Sequence, residues 1–191
     1  MTPIHILGLG GTTRPGSSSE VALHVAARRA QALGADVEFF AGRDLILPIY
    51  RAQESKRVDA VQRLVAAMRR ADGIFIASPG YHGSISGMIK NALDYAEDLK
   101  DASPPYFDGK AVGCITCAFG WQATGTTLLA LRQVVHSLRG WSAPEGVCIN
   151  TGNKVFAPDG SCLDADVERR LHGMAEQVVQ FARMRCASLA A

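Results

Sequence analysis

Gly73-Ile74-Phe75-Ile76-Ala77 runs directly into Ser78-Pro79-Gly80-Tyr81-His82-Gly83-Ser84-Ile85-Ser86-Gly87, and this change of character decides the fold. The first five residues are too short a run for a helix. Apolar throughout, they read as a strand buried on both faces. The next ten residues hold three glycines and a proline, which read as a loop at the end of that strand. Beyond it a helix is predicted over about Ser86 to Leu99.

The same alternation extends in both directions. Upstream, Ile4 to Leu9 reads as a strand and the segment from Ser17–Ser19 to about Leu33 as a helix. Asp36 to Phe40 is a second strand. About Glu54 to Ala71 is a helix carrying Val58, Val61, Leu64, Val65 and Met68 at helical spacing. Downstream, Lys110 to Cys117 is the fourth strand, Thr124 to Leu138 the fourth helix and Gly146 to Ile149 a short fifth strand. The last helix places Val167, Leu171, Met174, Val178 and Phe181 four and three apart. No repeat or linker interrupts residues 1–191, which reads as one domain. Doubly buried strands alternating with helices imply right-handed crossovers and a three-layer α/β sandwich. In such a sheet ligands bind beyond the carboxyl ends of the strands.

Composition excludes several classes. Of the 191 residues, 48% are hydrophobic and 20% charged, so disorder is not expected. The net charge of +2 gives no reason to expect nucleic acid or an anionic membrane as partner. Five cysteines without a disulfide spacing suit a reducing cytoplasm. The N-terminus lacks a signal-peptide pattern, and no apolar stretch reaches the length of a bilayer span.

The loop after the first strand, Gly10-Gly11-Thr12-Thr13-Arg14-Pro15-Gly16-Ser17-Ser18-Ser19, fits neither the dinucleotide fingerprint nor the P-loop. It offers five hydroxyls and one arginine where a helix begins. Exposed amides and the positive end of the helix dipole favour a phosphate there, and Arg14 adds a charged fork. Ordinary capping is the competing reading, since Ser17 and Glu20 have capping-box spacing. In the loop after the third strand, flexible backbone permits close approach to a flat ligand, and Tyr81 and His82 can border a ring; surface packing of Tyr81 and a structural loop role for His82 are the competing readings.

Ser78 to Asp94, SPGYHGSISGMIKNALD, resembles the signature of the NAD(P)H-dependent FMN reductases, a flavodoxin-like family. Gly11 to Ser19 resembles that family's Gly-Ser-x-Arg-x-x-Ser-x-Ser phosphate loop, with Thr12 in place of the first serine. Leu47-Pro48-Ile49-Tyr50 adds a looser match. The resemblance implies a flavodoxin-like sheet of five parallel strands in the order 2-1-3-4-5. It implies that Thr12, Arg14, Ser17 and Ser19 hold the FMN phosphate. Pro79, Gly80, Tyr81, His82, Gly83 and Ser84 would line the flavin ring and ribityl chain. Lys90, Asn91 and Asp94 also match, but their helical placement suggests packing and pairing.

Ala118-Phe119-Gly120-Trp121-Gln122-Ala123-Thr124-Gly125 follows the fourth strand, and Gly120 and Trp121 suit a third wall for a flavin. An oligomer contact is the other reading of Trp121. Cys114 and Cys117 lie three apart on a strand and so point to opposite faces, neither pairing nor sharing a metal. The expected function is an FMN-dependent NAD(P)H oxidoreductase, assembled as a homodimer or homotetramer. Its second acceptor would be a small molecule: free flavin, a quinone, an azo compound or a metal ion. No catalytic side chain is expected, because the cofactor carries the chemistry. A flavodoxin-type electron carrier is the alternative, disfavoured by the +2 charge.

Overall fold

Neighbouring residues on the central strands serve two different cores, and this divides the molecule into layers. The computed structural model describes residues 3–189. In chain order its elements are β1 (Ile4–Gly10), α1 (Ser18–Ala32), β2 (Ala35–Ala41), α2 (Asp59–Arg70), β3 (Gly73–Tyr81), β4 (Ser84–Ile85), α3 (Gly87–Asp94), β5 (Ala111–Ala118), α4 (Trp121–Ser137), β6 (Trp141–Ser142), β7 (Val147–Asn150) and α5 (Ala165–Leu189). Ile6, Phe75 and Ile115 face α1 and α5, packing on Leu23, Ala26, Met174 and Val178. Leu7, Ile74, Ile76 and Cys114 face the other way, onto Leu64, Met68, Ile89, Leu93 and Leu131 of α2, α3 and α4. Each large side chain buried in this way contributes about 1.5–3 kcal/mol.

The parallel strands run in the order β2-β1-β3-β5, with β6 and then β7 along the far edge of β5. This is the flavodoxin-like order expected from the sequence, with its fifth strand in two pieces. The break falls at Ala143–Gly146, where Pro144 has no amide to offer the ladder. Arg132 of α4 donates to the carbonyls of Ala143 at 3.1 Å and Pro144 at 2.8 Å, filling the gap. Among the described residues no helix is long and apolar enough to cross a membrane.

Some boundaries differ from expectation. The second helix starts at Asp59, not near Glu54, and Val58 is half exposed. The preceding residues are instead tied down as a strap: Arg57 makes two bonds to Asp98, at 2.8 and 2.7 Å, and lies over the rings of Tyr50 and Tyr95. That pairing holds the Arg57 guanidinium charged, well above its ordinary value. The third helix is α-helical only to Asp94 and tightens to a 3-10 turn over Tyr95–Leu99. β3 runs four residues further than the apolar run, because β4 folds back on it antiparallel, Tyr81 opposite Ser84.

All five cysteines are free, and Cys114 and Cys117 lie in opposite cores as strand geometry requires. Burial pushes the Cys114 thiol up to about 12 and that of Cys117 higher still. Alkylation of the native protein at mildly alkaline pH should therefore leave both unlabelled on peptide mapping, and denaturant should expose both. The β3–β4 hairpin makes a second prediction. His82 (φ 52°) and Gly83 (φ 83°) form a two-residue turn with both φ positive, the type I′ pattern that favours Asn-Gly. In urea titrations, His82→Asn should change stability by less than about 0.5 kcal/mol. His82→Val, β-branched in a left-handed position, should cost about 1 kcal/mol or more.

Candidate functional site

At the carboxyl rim of the sheet, β1 ends at Gly10, β3 at Tyr81, β5 at Ala118 and β7 at Asn150. The loop leaving β1 is pinned at its base by the Gly11 amide, which donates to Ala77 of β3 at 2.9 Å. It then turns into α1. Ser17 is the N-cap, its Oγ accepting the Glu20 amide at 3.4 Å, and the Glu20 carboxylate accepts the Gly16 amide at 3.0 Å. Ser17 and Ser19 are buried with their hydroxyls 3.4 Å apart. Thr12 Oγ1 accepts the Arg14 amide at 3.2 Å.

Capping thus engages only part of what this loop offers. An N-cap hydroxyl accepts with a lone pair and keeps its hydrogen for donation. The first-turn amides of Ser18 and Ser19 have no intrahelical acceptor. Arg14 is exposed, and no carboxylate pairs with it among the described residues. Hydroxyls, open amides and an unpaired guanidinium at a helix N-terminus are a donor set suited to a phosphomonoester.

Ser86 stitches the β1 loop to the loop after β3. It caps α3, accepting the Ile89 amide at 3.2 Å, while its hydroxyl donates to the Gly11 carbonyl at 3.2 Å. Its own amide donates to buried Ser78 Oγ at 3.0 Å. The approach is so close that a Cβ on Gly11 would stand 2.3 Å from Ile89 Cγ1. Of the residues expected to line a ring, Tyr81, His82, Gly83 and Ser84 are exposed at the hairpin, and Tyr81 is 56% accessible. Pro79 is buried within β3, opposite Cys117. Gly80 lies against α4, where a Cβ would come within 2.5 Å of Thr127 Oγ1.

The third loop and the first residue of α4 hold two large side chains in solvent, Phe119 at 85% and Trp121 at 62% exposure. Between them Gly120 is the N-cap of α4, with φ 101° and ψ 147° and no side-chain capping bond. Its amide donates to Asn150 Oδ1 at 2.9 Å, and the Gly152 amide donates to the same oxygen at 2.9 Å. Residue type alone does not single out Asn150 or Ser86. The available signal was local: Asn-x-Gly at a strand end is an Asx-turn pattern, and Ser86 stands at a helix start.

Lys90, Asn91 and Asp94 point away from this chemistry. Lys90 and Asp94 pair at 2.5 Å along α3. Asn91 accepts the Tyr50 amide at 2.8 Å and donates to Pro48 at 2.9 Å, with the Tyr95 hydroxyl on the same carbonyl at 3.0 Å. These residues bind Leu47–Tyr50 to α3. No cluster of His, Cys, Asp or Glu among the described residues could hold a metal.

Comparison with known proteins places these loops in a family. An NADPH azoreductase from Bacillus sp. (strain OY1-2) is 44% identical over 136 residues, 71% of each chain. An FMN-dependent NADPH-azoreductase from Staphylococcus aureus (strain USA300) is 33% identical over 113 residues, 58% of this chain and 56% of its own. In structure, the flavoenzyme NAD(P)H:(acceptor) oxidoreductase FerB from Paracoccus denitrificans superposes with a TM-score of 0.71 at 21% identity, covering 95% of this chain and 98% of that one. A flavodoxin, WrbA-like protein from Agrobacterium tumefaciens gives 0.64 at 15% identity, covering 96% and 99%. The family described as NADPH-dependent FMN reductase matches residues 4–154, from β1 through the turn after β7. All three rim loops fall inside that span, and the chain belongs to the NADPH-dependent FMN reductases, a family of FMN-dependent NAD(P)H oxidoreductases.

Proposed function

We propose that the chain binds FMN across the three rim loops, its phosphate at the β1–α1 turn and its ring between the β3–β4 hairpin and the β5–α4 turn. The observation that carries this reading is the joining of the first two loops through Ser86 and Gly11, with three exposed aromatics, Tyr81, Phe119 and Trp121, beyond them. Thr12, Arg14, Ser17 and Ser19 would hold the phosphate, and Pro79 to Ser84 with Gly120 and Trp121 would border the ring. When bound, FMN supplies the redox chemistry, taking a hydride from NAD(P)H and passing electrons to a second acceptor.

The protein's own work is positional. The hairpin and the β5–α4 turn would hold two flat rings in contact, and backbone amides near Tyr81 to Ser84 would favour negative charge on the flavin. A hydride step needs no side-chain acid or base. The whole chain acts as one flavin domain, with a small-molecule acceptor such as an azo compound, a quinone, free flavin or a metal ion. The azoreductase names of the sequence relatives favour the first of these. Phe119 and Trp121, exposed at the rim, suit a homodimer or homotetramer in which a second copy borders the pocket. Five free cysteines fit a cytoplasmic enzyme.

Anaerobic mixing with NADPH or NADH tests the reading. Rapid bleaching of the flavin absorbance is expected, whereas bleaching only after a reductase is added would mark an electron carrier. The phosphate site is tested by Arg14→Ala. Losing one charge-assisted contact should weaken FMN by about one to two decades and leave riboflavin, which lacks the phosphate, almost unchanged. Equal losses for the two flavins in fluorescence titrations would remove Arg14 from the phosphate site.

A further inference from the structure

We propose that Asn150 is a positioning residue for the ring site, acting through the β5–α4 turn; the proposal rests on the FMN reading above. The turn needs an external brace. Gly120 sits at φ 101° and ψ 147°, close to a region that is essentially reserved for glycine. Such a conformation persists only where its surroundings fix it. Its carbonyl already accepts the Thr124 amide at 3.2 Å, as the first bond of α4. The opposite side is held by Asn150 Oδ1, which takes the Gly120 amide from one strand end and the Gly152 amide from another.

An asparagine that merely ended β7 would need only the Gly152 bond, two residues ahead in the chain. The Gly120 bond spans thirty residues and joins separate loops. Both lone pairs of the amide oxygen are then in use. The main chain is locked beneath them, since Asn150 pairs with Ala118 and Thr151 donates to Ala118 at 2.9 Å. Gly152 borders Phe119 as well, where a Cβ would meet its ring at an ordinary contact distance of 3.5 Å. Phe119 and Trp121, the two large side chains of this wall, therefore flank a glycine whose amide is held by that one oxygen. Ring-to-ring hydride transfer depends steeply on placement, and a displacement of about 1 Å can cost about a hundredfold in rate.

The test compares Asn150→Ala with Asn150→Asp in the FMN-loaded enzyme. At saturating NADPH, Asn150→Ala should slow flavin reduction at least about tenfold. Its FMN dissociation constant should stay within about threefold of native, because the phosphate grip lies on another loop. Asn150→Asp presents a carboxylate oxygen to the same two amides and should restore reduction to within about threefold. Reduction by Asn150→Ala at the native rate, or no rescue by Asn150→Asp, would overturn the proposal. Should Asn150→Ala fail to fold, amide exchange in the native holoenzyme decides: slow exchange at both Gly120 and Gly152 sustains the clamp, and fast exchange at Gly120 overturns it. A native protein that takes up no FMN defeats the flavin reading itself, an outcome visible before any variant is made.

Discussion

A parallel strand buried on both faces can offer its backbone to a ligand only at its ends. In β1, β3 and β5 nearly every side chain is spent on one of two cores. Amides and carbonyls within the strands are spent on the ladder. Polar chemistry is thereby driven to the carboxyl rim, where strands give way to loops and helices begin. The N-termini of α1, α3 and α4 all arise there, because each is the next helix after a strand that ends at that rim.

That rim works as a unit because its loops are bonded to one another and not only to their own helices. Ser86 serves three partners, Gly11, Ser78 and Ile89, from one residue. Asn150 plays the corresponding part on the other side, between the ends of β5 and β7. Glycine is needed where the joints are tightest, at Gly11 under Ile89 and at Gly80 against Thr127. The capping and phosphate readings of Ser17 do not compete, since a hydroxyl that accepts the Glu20 amide still has a proton to donate.

The layers were legible in the sequence because burial on both faces leaves an unmistakable pattern, as in Gly73 to Ala77. Cys114 and Cys117 were legible for the same reason, period two being enough to part them. What periodicity missed was decided by contacts distant in the chain. Val58 fits a helical stripe, yet Arg57 is drawn to Asp98, forty-one residues away, and the helix cannot start until it is past. The broken fifth strand turns on Pro144 and on Arg132 from α4. At the site, residue types sufficed for the hydroxyls and aromatics, and the resemblance gave them roles. Asn150 escaped because its bond to Gly120 exists only once two loops meet.

Searching this protein for displaced titrations would lead away from the rim. The groups shifted furthest are packing devices: Cys114 and Cys117, inert in the two cores, and Arg57, clamping the strap. Lys110 is drawn down by burial, its ammonium satisfied by the carbonyls of Arg69 and Ala71 at the end of α2. Strongly perturbed groups mark active sites when a side chain must itself move a proton. In an enzyme whose cofactor carries the electrons, the demand falls on geometry instead. The corresponding signature is backbone forced into unusual paths and braced from outside, and the turn at Gly120 answers to that description.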